Sequence, residues 1–285
     1  MQFECKTLTP LFSGGPLKDE IEFRPHIIKS SMRYWWRALN AHLSIEDMFK
    51  EETRIFGMGG ENSITGLFKI FNFNFTGDID YYPKLPHDPK RTSKTFSPQS
   101  AFQLDMQIKN NSEFTSEKLI ALMQITSSLG NLGNRARRGM GAWQINEIDG
   151  EKFKFTFKDL FHNIQLFSRN YSISSANNSI GLKAYSRIET SNYPYIKTIF
   201  FDEKKVMKEK DTFLKKLMNT SSEIKGGYLN DYILNIGNHT PRLASPVYIS
   251  IIEIDSEYYP IITRLNNPKE TNNDFVENYI KKILE

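Results

Sequence analysis

Apolar residues change period several times along the first half of the chain. Residues 2–7, QFECKT, set Phe3, Cys5 and Thr7 against Gln2, Glu4 and Lys6, and that period of two predicts a strand. Leu8 falls on the polar side, and Thr9-Pro10 followed by SGGP at 13–16 ends the run. Arg24-Pro25 is extended and opens a helix. From there Ile28, Met32, Trp35, Trp36 and Leu39 recur at helical spacing and make one apolar face. Ser44 is placed to cap a short second helix, IEDMFKEE, which IFGMGG ends. Residues 63–75 alternate in their second half and predict a strand. Residues 76–100, rich in Pro, Asp, Lys and Ser, read as a long loop or insertion. Residues 101–109 alternate again, Thr115 or Ser116 caps a helix through LIALMQITSSL, and AWQINEI (142–148) predicts a closing strand.

Strand, helix, strand, strand, helix, strand is the order of the split βαβ, ferredoxin-like (RRM-like) unit, an antiparallel sheet with both helices on one face. Residues 151–285 are less regular. Residues 158–167 predict a helix, 170–193 a Ser/Asn-rich loop, TIFFDEK a strand and 213–218 a helix. Residues 246–254 and 258–265, joined by DSE, predict a hairpin, and NDFVENYIKKIL places Phe275, Tyr279 and Ile283 on one helical face. The organisation expected is α+β, with an N-terminal ferredoxin-like domain at 1–150 and a second α+β domain at 151–285.

Composition narrows the class. Of 285 residues, 39% are hydrophobic and 25% charged, which fits a globular chain with a sizeable core. No run of 18 apolar residues occurs, so no membrane span is expected, and the N-terminus lacks the pattern of a secretory signal. The single cysteine, Cys5, excludes an internal disulfide, and no Cys/His cluster has zinc spacing. Neither metal nor cofactor is expected, and the compartment expected is the cytoplasm.

The net charge of +4 is too mild to imply a polyanion partner, so its distribution matters more. Lys29, Arg33 and Arg37 stand at i, i+4, i+8, a stripe about 120° from the centre of the apolar face. Arg24 precedes them, and no acidic residue occurs from Arg24 to Ala41. Like charges at this spacing repel, so a compensating anion is expected. A second cluster, NLGNRARRGMGAW (131–143), combines Arg135, Arg137 and Arg138 with Gly133, Gly139 and Gly141. Glycines permit outward-pointing backbone amides and arginines fork onto phosphate, so the pattern reads as a phosphate cradle; a capping glycine followed by a solvated turn is the plainer account. In a split βαβ unit the two clusters approach one end of the fold. Trp35 fits the core, whereas Trp36, at the border nearest Lys29, is a candidate for base contact. No Walker motif, metal dyad or nucleophile elbow occurs. His26, beside Lys29 and Arg33, is the one candidate acid–base residue, and His87-Asp88 reads as a solvated pair in the insertion.

Four segments carry a family resemblance: TPLFSGG (9–15), EFRPHIIKSSMRYWWRAL (22–39), ETRIFG (52–57) and GNLGNRARRGMGAW (130–143). They resemble the RAMP superfamily of CRISPR proteins, most closely the first RAMP subunit of the Cmr (type III-B) effector complex. TPRLASPVYISI (240–251) resembles an element of that family's second domain. The resemblance implies two ferredoxin-like domains with antiparallel sheets, and a non-catalytic subunit in antiviral defence. Such a subunit holds guide RNA toward its 3′ end, engages target RNA and contacts other Cmr subunits. Carried onto this chain, the RNA-facing positions are Ser13, Gly14, Gly15, Arg24, Lys29, Arg33, Arg37, Arg135, Arg137, Arg138, Gly139, Arg242 and Ser245, the last two by resemblance alone. The alternative is a metal-independent RAMP endoribonuclease acting on repeat RNA through His26.

Overall fold

The structure is a computed structural model and describes residues 1–17, 20–85, 88–109, 111–174, 179–183, 188, 193–207, 211–217, 219, 245–266 and 273–284. The first half runs β1 (Gln2–Thr7), α1 (Pro25–Leu39), α2 (Ile45–Phe56), β2 (Phe68–Thr76), β3 (Ile79–Leu85), β4 (Asp88–Phe96), β5 (Ala101–Ile108), α3 (Ser116–Leu129), β6 (Trp143–Ile148) and β7 (Glu151–Lys152). Five of these strands form an antiparallel sheet of order β2-β5-β1-β6-β7. The alternation of β1 sends Phe3 and Cys5 into a core shared with Phe102 and Leu104 of β5 and Trp143 and Ile145 of β6. Ile28, Met32 and Trp36 of α1 and Leu119, Leu122 and Met123 of α3 close that core. Ser44 and Thr115 cap α2 and α3, their hydroxyls accepting from the amides of Asp47 and Lys118.

The second half runs α4 (Phe157–Gln165), β8 (Tyr171–Ser174), β9 (Ser179–Leu182), β10 (Ile196–Phe201), a helix over 211–217 (α5), β11 (Val247–Ile254), β12 (Glu257–Leu265) and α6 (Asn273–Leu284). Its antiparallel sheet has the order β11-β12-β10-β9-β8. Among the described residues this succession differs from that of the first half, because β9, which flanks β10, precedes it in the chain. Asp255 and Ser256 close the β11–β12 hairpin with positive φ of 50° and 69°, the two-residue turn that suits strand twist.

Two segments expected to be loops contain strands. Residues 79–96 form the separate hairpin β3–β4. Its described side chains are mostly exposed, and those that pack inward, Tyr82, Thr95 and Phe96, do not alternate along it, so no apolar period marks the hairpin for a reading of pattern. Within the Ser/Asn-rich 170–193 stretch, β8 and β9 bury Tyr171 and Ile180 in the second core. His87 lies outside the described residues.

Helices α1 and α3 serve both sheets. Trp35, Ala38 and Leu39 of α1 and Ile125 and Leu129 of α3 belong to a second cluster with α4 and strands β8 to β12. A third joins Leu8, Phe12, Met140 and Ala142 to α5, β11, β12 and α6. Leu8, out of phase with β1's inner face, is therefore fully buried. Lys6 and Glu253 add an ion pair at 3.0 Å between β1 and β11.

Candidate nucleic-acid interface

The basic stripe of α1 has internal partners. Helix α2 folds back on α1 and brings Glu52 between Arg33, at 3.3 Å, and Arg37, at 3.6 Å. Arg33 also donates to the Gly57 carbonyl at 2.8 Å and lies over the Phe56 ring. Arg24 pairs with Glu22. The expectation of an uncompensated stripe is thus corrected for these three arginines. One carboxylate still serves two guanidinium groups, so positive charge remains in excess. Lys29 pairs with no carboxylate among the described residues, and its ammonium lies 5.0 Å from the centre of the Phe68 ring. Burial, reinforced by nearby Arg33, holds its pKa below the ordinary lysine value.

Beside this stripe lies an open groove of about 510 Å³. Its walls are His26, Lys29, Ser30 and Arg33 of α1, the end of α2, the 57–66 turn, and Phe68 and Lys69 of β2. Among the described residues no carboxylate lines it. Gly57 turns the chain with φ 80°, and a Cβ there would lie 2.7 Å from the Ile64 carbonyl oxygen, so only glycine fits the hairpin-like return that forms this wall.

The Gly/Arg loop is built differently from an anion nest. The amides of Asn134, Arg138, Gly139 and Gly141 donate to carbonyls of Phe12, Arg135, Ile249 and Pro10. Gly133, Gly139 and Gly141 have φ of 73°, 74° and 68°, and a Cβ on Gly133 would lie 2.2 Å from the Phe12 carbonyl oxygen. The glycines answer to turn geometry and close packing, and the outward cradle of amides is corrected. Arg137 donates to the Ser245 carbonyl and to the Tyr34 hydroxyl and lies over the Tyr34 and Tyr248 rings. It clamps α1, the loop and β11 together. Tyr34 feels both Arg37 and Arg137, so the two basic clusters meet across this ring. Arg135 takes a left-handed conformation with φ 61°, which a non-glycine residue adopts at a cost. One of its guanidinium nitrogens is buried with no hydrogen-bond partner among the described residues. Burial lowers the pKa of both Arg135 and Arg138, and Arg138 faces Tyr279 of α6; both guanidiniums stay charged.

Residues 4–143 match the family model of the RAMP superfamily. This span belongs to the RAMP superfamily. No curated protein matches it in sequence. Among solved structures, Cmr1 from Pyrococcus furiosus, in its apo form, is 18% identical and superposes with a TM-score of 0.61, covering 99% of this chain and 95% of that one. A chain of the type III-B Cmr-beta complex bound to cognate target RNA is 13% identical with a TM-score of 0.59, covering 99% and 98%. A second Cmr-beta structure, bound to cognate target RNA and AMPPnP, gives 12% identity, a TM-score of 0.54 and coverage of 100% and 97%. At these identities the shared property is the fold, a mixed α+β architecture with antiparallel sheets.

Within this RAMP chain the expected RNA-facing residues are dispersed. Lys29 and Arg33 share the α1 groove with His26, and Arg37 is half-buried beside Glu52. Trp36 is 4% exposed and packs on Phe56, so its ring offers no face to a base. Ser13 is buried and donates to the Glu22 carbonyl; Gly14 is exposed and Gly15 half-buried. Gly139 packs on Leu214, Leu217 and Ile251. Ser245 is half-buried, its hydroxyl engaged with Val247, and Arg242 lies outside the described residues. Lys69 and Glu52 were not singled out by the sequence, because each becomes part of the site only when its element docks against α1. Among the described residues no three His, Cys, Asp or Glu side chains are grouped to hold a metal, and no helix is long and apolar enough to cross a membrane.

Proposed function

We propose that this chain is a non-catalytic RNA-binding subunit of a type III-B (Cmr) CRISPR effector complex, acting in antiviral defence in the cytoplasm. It holds guide RNA toward its 3′ end and engages target RNA alongside other Cmr subunits. The fold shared with Cmr1 and with chains of target-bound Cmr-beta supports the assembly. The observation that carries RNA binding is the α1 groove, where Lys29, Arg33 and Lys69 share one lining that, among the described residues, includes no carboxylate, Glu52 pairing with Arg33 from outside it. Such a groove grips backbone phosphate and leaves sequence to base pairing between the strands. The domain reading at 1–150 and 151–285 belongs to the same proposal. The order β2-β5-β1-β6 with α1 and α3 on one face supports a ferredoxin-like first unit. The order β11-β12-β10-β9 supports the same arrangement in the second, reached by a different chain path.

Lys69→Ala is the clean test, since Lys69 is exposed and makes no core contact. Binding of unrelated single-stranded RNAs by the full chain, followed by fluorescence anisotropy across a salt titration, should weaken about equally for all sequences. The slope of log K against log salt should fall by about one for one lost phosphate contact. Unchanged affinity and slope would leave the groove a solvated face.

His26 favours a second reading, because it is exposed at the start of α1 and lines the same groove as Lys29 and Arg33. A metal-independent endoribonuclease could use it as acid or base. Site-specific cleavage of repeat RNA in EDTA, lost in His26→Ala, would establish that activity; intact RNA would remove it.

A further inference from the structure

Helix α2 leaves two large apolar side chains in water. Ile45 is 54% exposed and Phe49 61%, and a spacing of four places them on one stripe. Met48, Ile55 and Phe56 of the same helix are buried in the first core. The helix therefore docks by those residues, and its N-terminal half carries apolar surface that the core does not use. Glu46 and Asp47, exposed in the same turn, put negative charge beside the pair. Carboxylates suit the positive end of a helix, and Ser44 caps it. Neither reason accounts for a phenyl ring held in solvent next to a second apolar side chain.

The α1 groove presents the opposite signature. Lys29, Arg33 and Lys69 line it together with Met58, Ile64 and Phe68, and among the described residues no carboxylate does. Ile64 is 46% exposed, so apolar surface is open there as well. Acid beside apolar on one surface thus matches base beside apolar on the other. The two cannot meet within one molecule. Phe49 and the Phe56 edge of the groove sit on one rigid helix, about 10 Å apart along its axis at 1.5 Å per residue.

We propose that the Ile45–Phe49 face docks into the α1 groove of a second copy of this chain, so that the free protein associates head to tail and covers its own RNA site until RNA displaces the neighbour. The proposal rests on the RNA-binding reading of that groove. Ile45 and Phe49 meet the apolar lining, while Glu46 and Asp47 meet Lys69 and Lys29. Face and groove are different surfaces, so the contact is heterologous and adds chains in a row. It is small, so association depends on concentration and weakens with salt.

Sedimentation of the full chain over a concentration series tests this. Wild type should pass from single chains to larger species as concentration rises. Phe49→Ser, at an exposed position, should weaken association at least about tenfold and leave RNA affinity in dilute protein unchanged. Glu46→Lys and Lys69→Glu should each sediment as single chains. An equimolar mixture of the two should associate, because the intact face of one meets the intact groove of the other. A short single-stranded RNA should return wild type to complexes of one chain each. Wild type that stays single at every concentration would overturn the proposal and leave the α2 face to another protein. Association that survives Lys69→Glu, or that persists with RNA bound, would overturn it too, since the groove would not be the seat. None of these outcomes decides the RNA-binding reading, which Lys69→Ala judges separately.

Discussion

Lys29 is where function and stability conflict most directly. Its ammonium is half-buried against Phe68 and Arg33, and Glu52 serves the two arginines instead. Burial and Arg33 lower its native pKa, so the unfolded chain binds this proton more tightly than the folded one. The penalty is fully present below the native pKa and is relieved as pH rises through it toward the ordinary lysine value, about 10.4. Lys29→Met keeps the stem and removes the charge. The variant should melt at a higher temperature than wild type at pH 7, with the difference closing at alkaline pH, and should bind RNA more weakly. A lower melting temperature at pH 7 would show that the contact with Phe68 outweighs the desolvation. Sequence alone identified the stripe Lys29, Arg33, Arg37 but assigned the compensating charge to an outside anion. Glu52, 15 positions beyond Arg37 and on the next helix, is invisible to a helical-spacing argument because docking of α2 on α1 decides the pairing.

At the scale of elements, the Gly/Arg loop is a joint. Its amides are tied to Phe12, Pro10 and Ile249, its Arg137 clamps Tyr34 to Ser245, and Asn131 donates to the Ile249 carbonyl at 2.7 Å. A Cβ on Gly141 would lie 2.0 Å from the Leu132 carbonyl oxygen at φ 68°. Gly141→Ala should therefore destabilise the fold by about 1–3 kcal/mol or more, read as a lower denaturant midpoint. A neutral result would show that the loop shifts without cost. The same joint explains why motif and mechanism came apart. The glycines and arginines were legible as a unit, but whether their amides face solvent or protein depends on β11 and residues 10–12, which pack there only in three dimensions. The β3–β4 hairpin escaped for the opposite reason: an exposed ribbon has no burial requirement to write a period into its residues.

At the scale of the molecule, α1 and α3 lie between two sheets, and each core cluster that closes the second sheet includes residues of the first half. Trp35 is fully buried at this junction, its ring 5.1 Å from that of Tyr248. Trp35→Ala should cost about 3–5 kcal/mol. Because the junction is shared, wild-type unfolding followed by tryptophan fluorescence and by far-ultraviolet dichroism should give coincident transitions. Two separated transitions would mean that the halves are stable independently despite this interface.

Local pattern was enough to determine the strands β1, β2, β5 and β6, the helices α1 to α4 and α6 with the caps Ser44 and Thr115, and the closing hairpin. Those features follow from the period of apolar residues and from turn and cap chemistry, which act over a few positions. Only the tertiary structure decided that Glu52 neutralises part of the stripe, that Trp36 is core, that Arg137 is a clamp, and that Lys69 joins Lys29 and Arg33 in one groove. Each depends on which elements touch, and contact between distant segments is set by the packing of whole faces, a property that no single stretch of chain contains.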